Sequence, residues 1–408
     1  MALVVVLVVV CAGVLALTRH QWVRALGWNV DATTWDGPAP SASGPLPAEP
    51  AGLVWSHRSP GPGPHAITVD HGIAFVTEKH GVHAVRLSDG RELWHYVDHD
   101  VDAGDMPPVV GSGVVGVRLG LGFGSLWLLD ETTGRFLRHF TAPSGTVHVA
   151  LSSGTLVTFD SGDDDGNVRA FRISDGRRLW TWHRSCGSGR VDDLEPLVAS
   201  TTVAAYTICK QGEDTYTHRA VTGLDVRTGA VRDNLPVAYE PLEPDQRDAA
   251  RGVADTGPIL LGGPRVVAVS PAGGRRLDSA GIAGEAVSSV LTTDDGWCVE
   301  YTKSYLCRGT SAHVSRRITP SARDDGVTVS SLAAPGRLAV MGLRPLRGGR
   351  YTFDLTTMDL RRGTLRHPAN LPAISPGGLP VPTADTSAGF VLHVATKTDA
   401  DAAIAVYR

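Results

Sequence analysis

Lysine is almost missing from this chain of 408 residues: Lys79, Lys210, Lys303 and Lys397 are all it has, and charged residues of both signs reach only 20 %. The net charge is -4. Without clustered excess positive charge there is no surface to neutralise a phosphate backbone, so nucleic acid is not an expected partner. The signatures HExxH, GxSxG and the P-loop are absent, as is any CxxC spacing, which removes the commonest routes to metalloprotease, serine-hydrolase and nucleotide chemistry. Gly111, Gly113 and Gly116 spell GxGxxG but enter a strand pattern, so no helix N-terminus stands behind them to hold a phosphate. A sustained helical period is lacking too. The composition instead offers 47 Gly, 26 Pro and 42 % hydrophobic residues, which suits many short strands joined by tight turns.

Four stretches repeat one pattern: His83 to Tyr96, Leu126 to Phe140, Val168 to Trp182 and Val221 to Asp233. Each is an apolar alternation, a polar turn ending in Gly, and a short strand usually carrying an aromatic. The turn glycines Gly90, Gly134, Gly176 and Gly229 fall 44, 42 and 53 residues apart. A period of about 40 to 50 residues with strand alternation marks a β-propeller with one four-stranded blade per repeat. The turn Gly then separates the third and outermost fourth strands. The aromatics Trp94, Phe136 and Trp180 on the fourth strands are expected to wedge between adjacent sheets, each burying about 150 to 250 Å². Weaker turns near Gly273, Gly309 and Gly363 bring the count to seven.

The last repeat reaches the C-terminus without a fourth strand, whereas residues 52–57, with Trp55, have a fourth-strand signature and nothing before them. Pairing these two ends makes an eighth blade and removes exposed sheet edges. Seven blades is the alternative, with Val266 to Gly309 taken as one irregular blade. The expected fold is therefore an all-β, eight-bladed propeller over residues 52–408.

Ahead of it, Ala2 to Leu17 is an uninterrupted apolar run of 16 residues. Residues 1–20 are expected to be a transmembrane anchor or a signal segment, and residues 21–51 a Pro/Ala/Ser-rich tether. This puts the propeller at the cell membrane on the extracytoplasmic side, or secreted if the segment is cleaved. The cysteines agree with an oxidising compartment, since Cys186, Cys209, Cys298 and Cys307 are even in number and outside zinc spacings. Cys298 and Cys307 face each other across a hairpin turning near Thr302-Lys303, and Cys186 with Cys209 would staple neighbouring blades.

The run Ala-Val/Phe-Arg-Leu/Ile-Ser-Asp-Gly-Arg-x-Leu-Trp, at Ala84 to Trp94 and again at Ala170 to Trp180, resembles the repeat of the PQQ-like (quinoprotein-type) propeller family. That family includes quinoprotein alcohol dehydrogenases and the propeller subunit of the bacterial outer-membrane β-barrel assembly machinery. The dehydrogenase branch would imply a quinone beside a vicinal disulfide over calcium. No Cys-Cys dipeptide exists here, so PQQ is not expected. The assembly-subunit branch implies a cofactor-free scaffold presenting loops to proteins.

The candidate surfaces follow from the loops. Those between one blade's fourth strand and the next blade's first are acidic, with Asp98, Asp100 and Asp102, then Asp192, Asp193 and Glu195, and these are the expected partner-binding positions. Asp163, Asp164 and Asp165 in Ser161 to Asn167 could hold Ca²⁺, though their spacing does not match an EF-hand loop and a solvated turn accounts for them as well. The function expected is a monomeric, membrane-tethered module that binds a protein or cell-envelope ligand. The alternatives are an extracytoplasmic hydrolase or lyase with carboxylates at the propeller axis, and a PQQ- or calcium-dependent oxidoreductase.

Overall fold

A computed structural model describes residues 29–40, 53–58, 66–103, 107–118, 125–143, 146–160, 166–184, 186, 190–198, 201–211 and 215–236, and beyond residue 250 the strands and tight turns of the later repeats. Residues 1–28 and 161–165 lie outside the described residues, and with them the expected membrane segment and the Asp163, Asp164 and Asp165 cluster. Among the described residues no helix is long and apolar enough to cross a membrane. Every element among the described residues is a strand.

The strands form eight antiparallel sheets among the described residues. The first sheet runs Ala66–Asp70, Ile73–Glu78, Gly81–Arg86 and Glu92–Asp98 in spatial as well as chain order. The next three repeat this order from Val109, Thr146 and Arg190. The stretch from Val266 to Gly309 divides between two sheets, one holding Val266–Val269 and the other Gly296–Tyr301 with Tyr305–Gly309. The first strands of successive sheets are neighbours. Ala66–Asp70 lies beside Val109–Gly111, then follow Thr146–Ser152 and Arg190–Val198; in the other direction it lies beside Gly378–Thr386, then Thr328–Ala334, Val287–Thr293 and Arg251–Gly252.

The last sheet is built from both ends of the domain. Gly378–Thr386, Gly389–Thr396 and Ala403–Tyr407 are completed by Leu53–Arg58, with Trp55 opposite Val406 and Ser56 opposite Ala405. The ladder hydrogen bonds of the final strand are thereby satisfied by the start of the domain, as every strand edge requires.

Strand alternation divides each repeat between two interfaces. In Val114–Arg118, Val115 and Val117 pack with Phe75, Ala84 and Trp94 of the first sheet, while Val114 faces Leu151 and Leu156 of the third. This is why the middle strands read as nearly continuous apolar runs: both faces are covered.

The repeated turn has a single geometry. The amide of Gly134 donates to the carbonyl of Asp130 at 2.9 Å, and Gly90, Gly176, Gly229 and Gly363 bond four residues back in the same way. The Asp130 carboxylate accepts from the Thr133 amide and hydroxyl, and Asp225 and Asp359 hold their turns likewise. Gly134 has φ +72, and a Cβ there would lie 2.4 Å from the Trp94 ring, so glycine is required for conformation and for space alike.

The wedges dock on the turns of the following sheet. Trp94, fully buried, donates its indole N–H to the Glu131 carbonyl at 3.1 Å; Trp180 reaches Val226 at 3.0 Å, and Trp55 reaches Leu87 at 2.7 Å, carrying the last sheet onto the first. Phe136 does not do this. It is 41 % exposed and stacks on Tyr96, while Arg138 occupies the place against Gly176. The docking position is four residues after the turn glycine, which in the second repeat is Arg138; a β-bulge between Phe136 and Arg138 shifts the register there.

Two further expectations are corrected. Part of the tether is docked: Val30–Thr33 pairs with the fourth strand of the first sheet, Val30 opposite Asp98 and Thr33 opposite His95, and the Trp35 amide donates to Thr133 of the second sheet at 3.1 Å. Arg86 and Arg91 lie over the Trp35 ring, so the segment gains cation–π contact as well as a ladder. Asp192, Asp193 and Glu195 do not stand in a loop but inside the strand Arg190–Val198, with Asp193 opposite Ile208 and Glu195 opposite Tyr206. The first strand of that sheet is longer than apolar patterning suggests, because its backbone pairing continues through the acidic run.

Cys186 and Cys209 are bonded with Cα atoms 5.6 Å apart, joining the end of the third sheet to the second strand of the fourth. Cys298 and Cys307 are bonded directly opposite each other and are buried against Leu338, Val340 and Met358 of the next sheet. With 9 residues of separation, loop-closure entropy assigns this second bond about 2.5 kcal/mol. We expect Cys298→Ala/Cys307→Ala to lower unfolding free energy by roughly 2 to 3 kcal/mol, measured by denaturant titration. A change below about 0.5 kcal/mol would show that packing, not the bond, holds this hairpin.

Candidate functional site

The outer part of the first sheet concentrates titratable groups, and strand geometry explains how. His83 in Gly81–Arg86 lies directly opposite His95 in Glu92–Asp98, and residues so paired project side by side on one face. The register shift between Ala84 and Val85 sets Glu92 opposite Val85, so Glu92 shares the face of His83 and His95 although it is an odd three residues from His95. Glu78 comes to that face from Ile73–Glu78, and Asp31 and Thr33 come from the docked N-terminal strand.

The result is an alternation of carboxylates and imidazoles across four strands. His83 Nε2 is 3.5 Å from Glu78 and its Nδ1 is 3.0 Å from Glu92 Oε2; Glu92 Oε1 is 2.7 Å from His95 Nδ1, and His95 Nε2 is 3.3 Å from Asp31. The Thr33 hydroxyl lies 3.2 Å from His95 Nδ1 and accepts from the His95 amide at 3.1 Å. Both rings are largely buried. Burial disfavours the charged form of His83, but the Glu78 and Glu92 hydrogen bonds outweigh it and push its pKa up to about 9. The His83 hydrogen bond, against the cost of burial, draws Glu92 down to about 2.

A second cluster ties the first sheet to the second. His71, at φ 43 in the turn after Ala66–Asp70, places Nδ1 2.9 Å from the buried Glu131 carboxylate and 3.5 Å from Asp70. The hydrogen bond to Glu131 raises the His71 pKa against burial, and burial raises that of Glu131. Both groups hold protons more tightly in the folded chain than in the unfolded one. The His71 contribution is complete below its ordinary value of 6.5 and is lost as pH rises through the folded value; the Glu131 burial cost grows over the range above 4.5. Because His71 is mostly exposed, we expect a stability decline of no more than about 1 kcal/mol between pH 6 and 9. Melting curves of the wild type and His71→Ala across that range test this; equal slopes would remove His71 as its source.

Of the expected partner-binding acids, Asp102 is exposed, with its carboxylate 3.4 Å from His80. Asp98 ends the fourth strand and turns inward to accept the Asp100 amide at 3.0 Å, so it shapes the connection more than it presents charge. The side chains of Asp192, Asp193 and Glu195 are outside the described residues. The His83–Glu92–His95 grouping was not anticipated from the sequence. Counting outward from Gly90 sets His83 beside Trp94; only the bulge brings it opposite His95.

Sheets of four antiparallel strands, laid side by side through their first strands and locked by indoles on turn glycines, define a β-propeller. Residues 81–280 match the family model described as Outer membrane protein assembly factor BamB. Among solved structures, BamB from Moraxella catarrhalis is 15 % identical, covering 87 % of this chain and 99 % of its own, with a TM-score of 0.52. The computationally designed Ika8 protein is 12 % identical over 88 % of this chain and 100 % of its own, with a TM-score of 0.53. Saccharomyces cerevisiae Sqt1 is 11 % identical over 88 % and 99 %, with a TM-score of 0.52. At these identities the likeness is one of fold. No curated protein matches the chain.

Proposed function

We propose that this chain is an extracytoplasmic, eight-bladed propeller, tethered through residues 1–20, that works as a protein-binding scaffold. The observation carrying this is the match of residues 81–280, which contain the four repeated stretches from His83 to Asp233, to an assembly-factor model. The eight sheets support the blade count, and two disulfides support an oxidising compartment. The scaffold acts as a monomer without PQQ, in keeping with the missing Cys-Cys dipeptide. Partner contact runs through the acidic connection around Asp98, Asp100 and Asp102 and the acidic run Asp192, Asp193 and Glu195, toward a basic surface. Among these acids Asp102 is the exposed charge, and exposed charge acts chiefly on association rate.

The test is a photo-cross-linking residue at position 102 of the full chain in its native cells. A discrete protein adduct is expected, with association slowed about tenfold by Asp100→Lys/Asp102→Lys, and with raised salt slowing the wild type toward the variant's rate. Cross-linking that is unchanged by charge reversal would overturn the assigned surface. No protein adduct from any of these loops would overturn the scaffold role.

A further inference from the structure

We propose that His83, Glu92 and His95 form a binding site for a divalent transition-metal ion of the zinc class, which clasps the N-terminal strand Val30–Thr33 to the first sheet. One ligand atom from each of the three residues lies within 4.8 Å of the others. The Nδ1 atoms of both rings turn toward the Glu92 carboxylate, at 3.0 and 2.7 Å. Ligands of a tetrahedral ion at bond lengths of 2.0 to 2.1 Å stand about 3.3 Å apart, so small side-chain adjustments admit the ion. Two imidazoles and a carboxylate on neighbouring strands suit zinc, nickel or copper far better than calcium or magnesium, which take oxygen ligands.

The groups behind the ligands favour this more than a simple ion pair. Glu78 lies 3.5 Å from Nε2 of His83 and Asp31 lies 3.3 Å from Nε2 of His95. A metal-bound histidine characteristically gives its remaining N–H to a carboxylate that fixes its tautomer and ring orientation, and here both rings have one. His95 Nε2 is buried and makes no hydrogen bond; a metal on Nδ1 would leave Nε2 protonated, and the exposed Asp31 is placed to close onto it. Three carboxylates meet two imidazoles, and a dication that displaces the His83 proton leaves the group at charge -1. Because Asp31 and Thr33 belong to the docked strand, an ion on His95 holds that strand as well.

Isothermal titration of tag-free, full-length protein with Zn²⁺, and with Co²⁺ for its visible d–d spectrum, tests the proposal. We expect one equivalent bound at micromolar affinity or better, a cobalt spectrum typical of nitrogen and oxygen ligands, and slower hydrogen exchange at the amides of 30–33 when zinc is present. Glu92→Gln, which keeps the shape but removes the charge and one of the two acceptor oxygens, should weaken binding by at least about 10- to 100-fold, and His83→Ala/His95→Ala should abolish it in protein whose circular dichroism is unchanged. His71→Ala, which alters the other His-carboxylate cluster, should have no effect. Affinity weaker than about 100 μM, binding that survives the double variant, or binding lost in His71→Ala would each overturn the site.

Discussion

Trp94→Ala is expected to cost about 3 to 5 kcal/mol, the range for removing a buried tryptophan, and to lower the melting temperature accordingly. The side chain is fully buried between the first and second sheets and sits among Phe75, Ala84, Val115, Val117 and Trp127. Its removal does three things at once. It withdraws an aromatic surface of about 150 to 250 Å² from the core, it leaves the Glu131 carbonyl without its indole donor, and it uncovers Gly134, whose Cα the ring lies against. A buried acceptor stripped of its donor alone costs about 1 to 3 kcal/mol. Phe136→Ala supplies the contrast: that ring is 41 % exposed and rests on Tyr96, so its loss should stay below about 1 kcal/mol. Denaturant unfolding of both variants decides the matter. Equal effects would mean that the interface is held by general hydrophobic contact and that docking on the turn glycine contributes nothing special.

This contrast also shows what the primary structure makes legible. A turn whose conformation demands glycine and whose carboxylate caps its own amides leaves a sequence mark, so the repeats built on Gly90, Gly134, Gly176 and Gly229 stand out from propensity and spacing alone. The docking position is equally regular, at four residues after the glycine in Trp94 and Trp180. In the second repeat that rule selects Arg138, but chemical type draws the eye to Phe136, two residues earlier on the strand. Bulges are what the alternation pattern hides. One inserts an extra residue after Gly90 and thereby brings His83 opposite His95, a pairing that no count of twos recovers. The strand Val30–Thr33 is hidden for another reason: four residues beside a Pro- and Ala-rich stretch bury little of their own, and their pairing depends on an edge supplied by Glu92–Asp98. Acidic residues inside Arg190–Val198 defeat the expectation of a loop because the backbone ladder with Thr202–Gln211 continues through them.

Removal of residues 1–58 is expected to cost more than any single substitution. Leu53–Arg58 contributes a whole strand to the last sheet, pairing along Ala403–Tyr407, and Trp55 donates its indole to the Leu87 carbonyl at 2.7 Å while its ring covers Gly90. The partly buried ring accounts for about 2 to 3 kcal/mol at 25 cal/mol per Å², before the ladder is counted, and the lost ladder brings the total higher. The truncated chain would also present Ala403–Tyr407 as an open edge made wholly of apolar residues, a template for pairing with a second copy. Its unfolding should therefore lose at least about 4 kcal/mol and become dependent on protein concentration, and light scattering should show association at micromolar levels. Removal of residues 1–40 alone takes away the outer strand Val30–Thr33 but leaves the closing strand in place, so that shorter deletion should remain monomeric. If both deletions behave alike, the two ends of the domain are not what closes it, and the link from Trp55 to the first sheet is incidental.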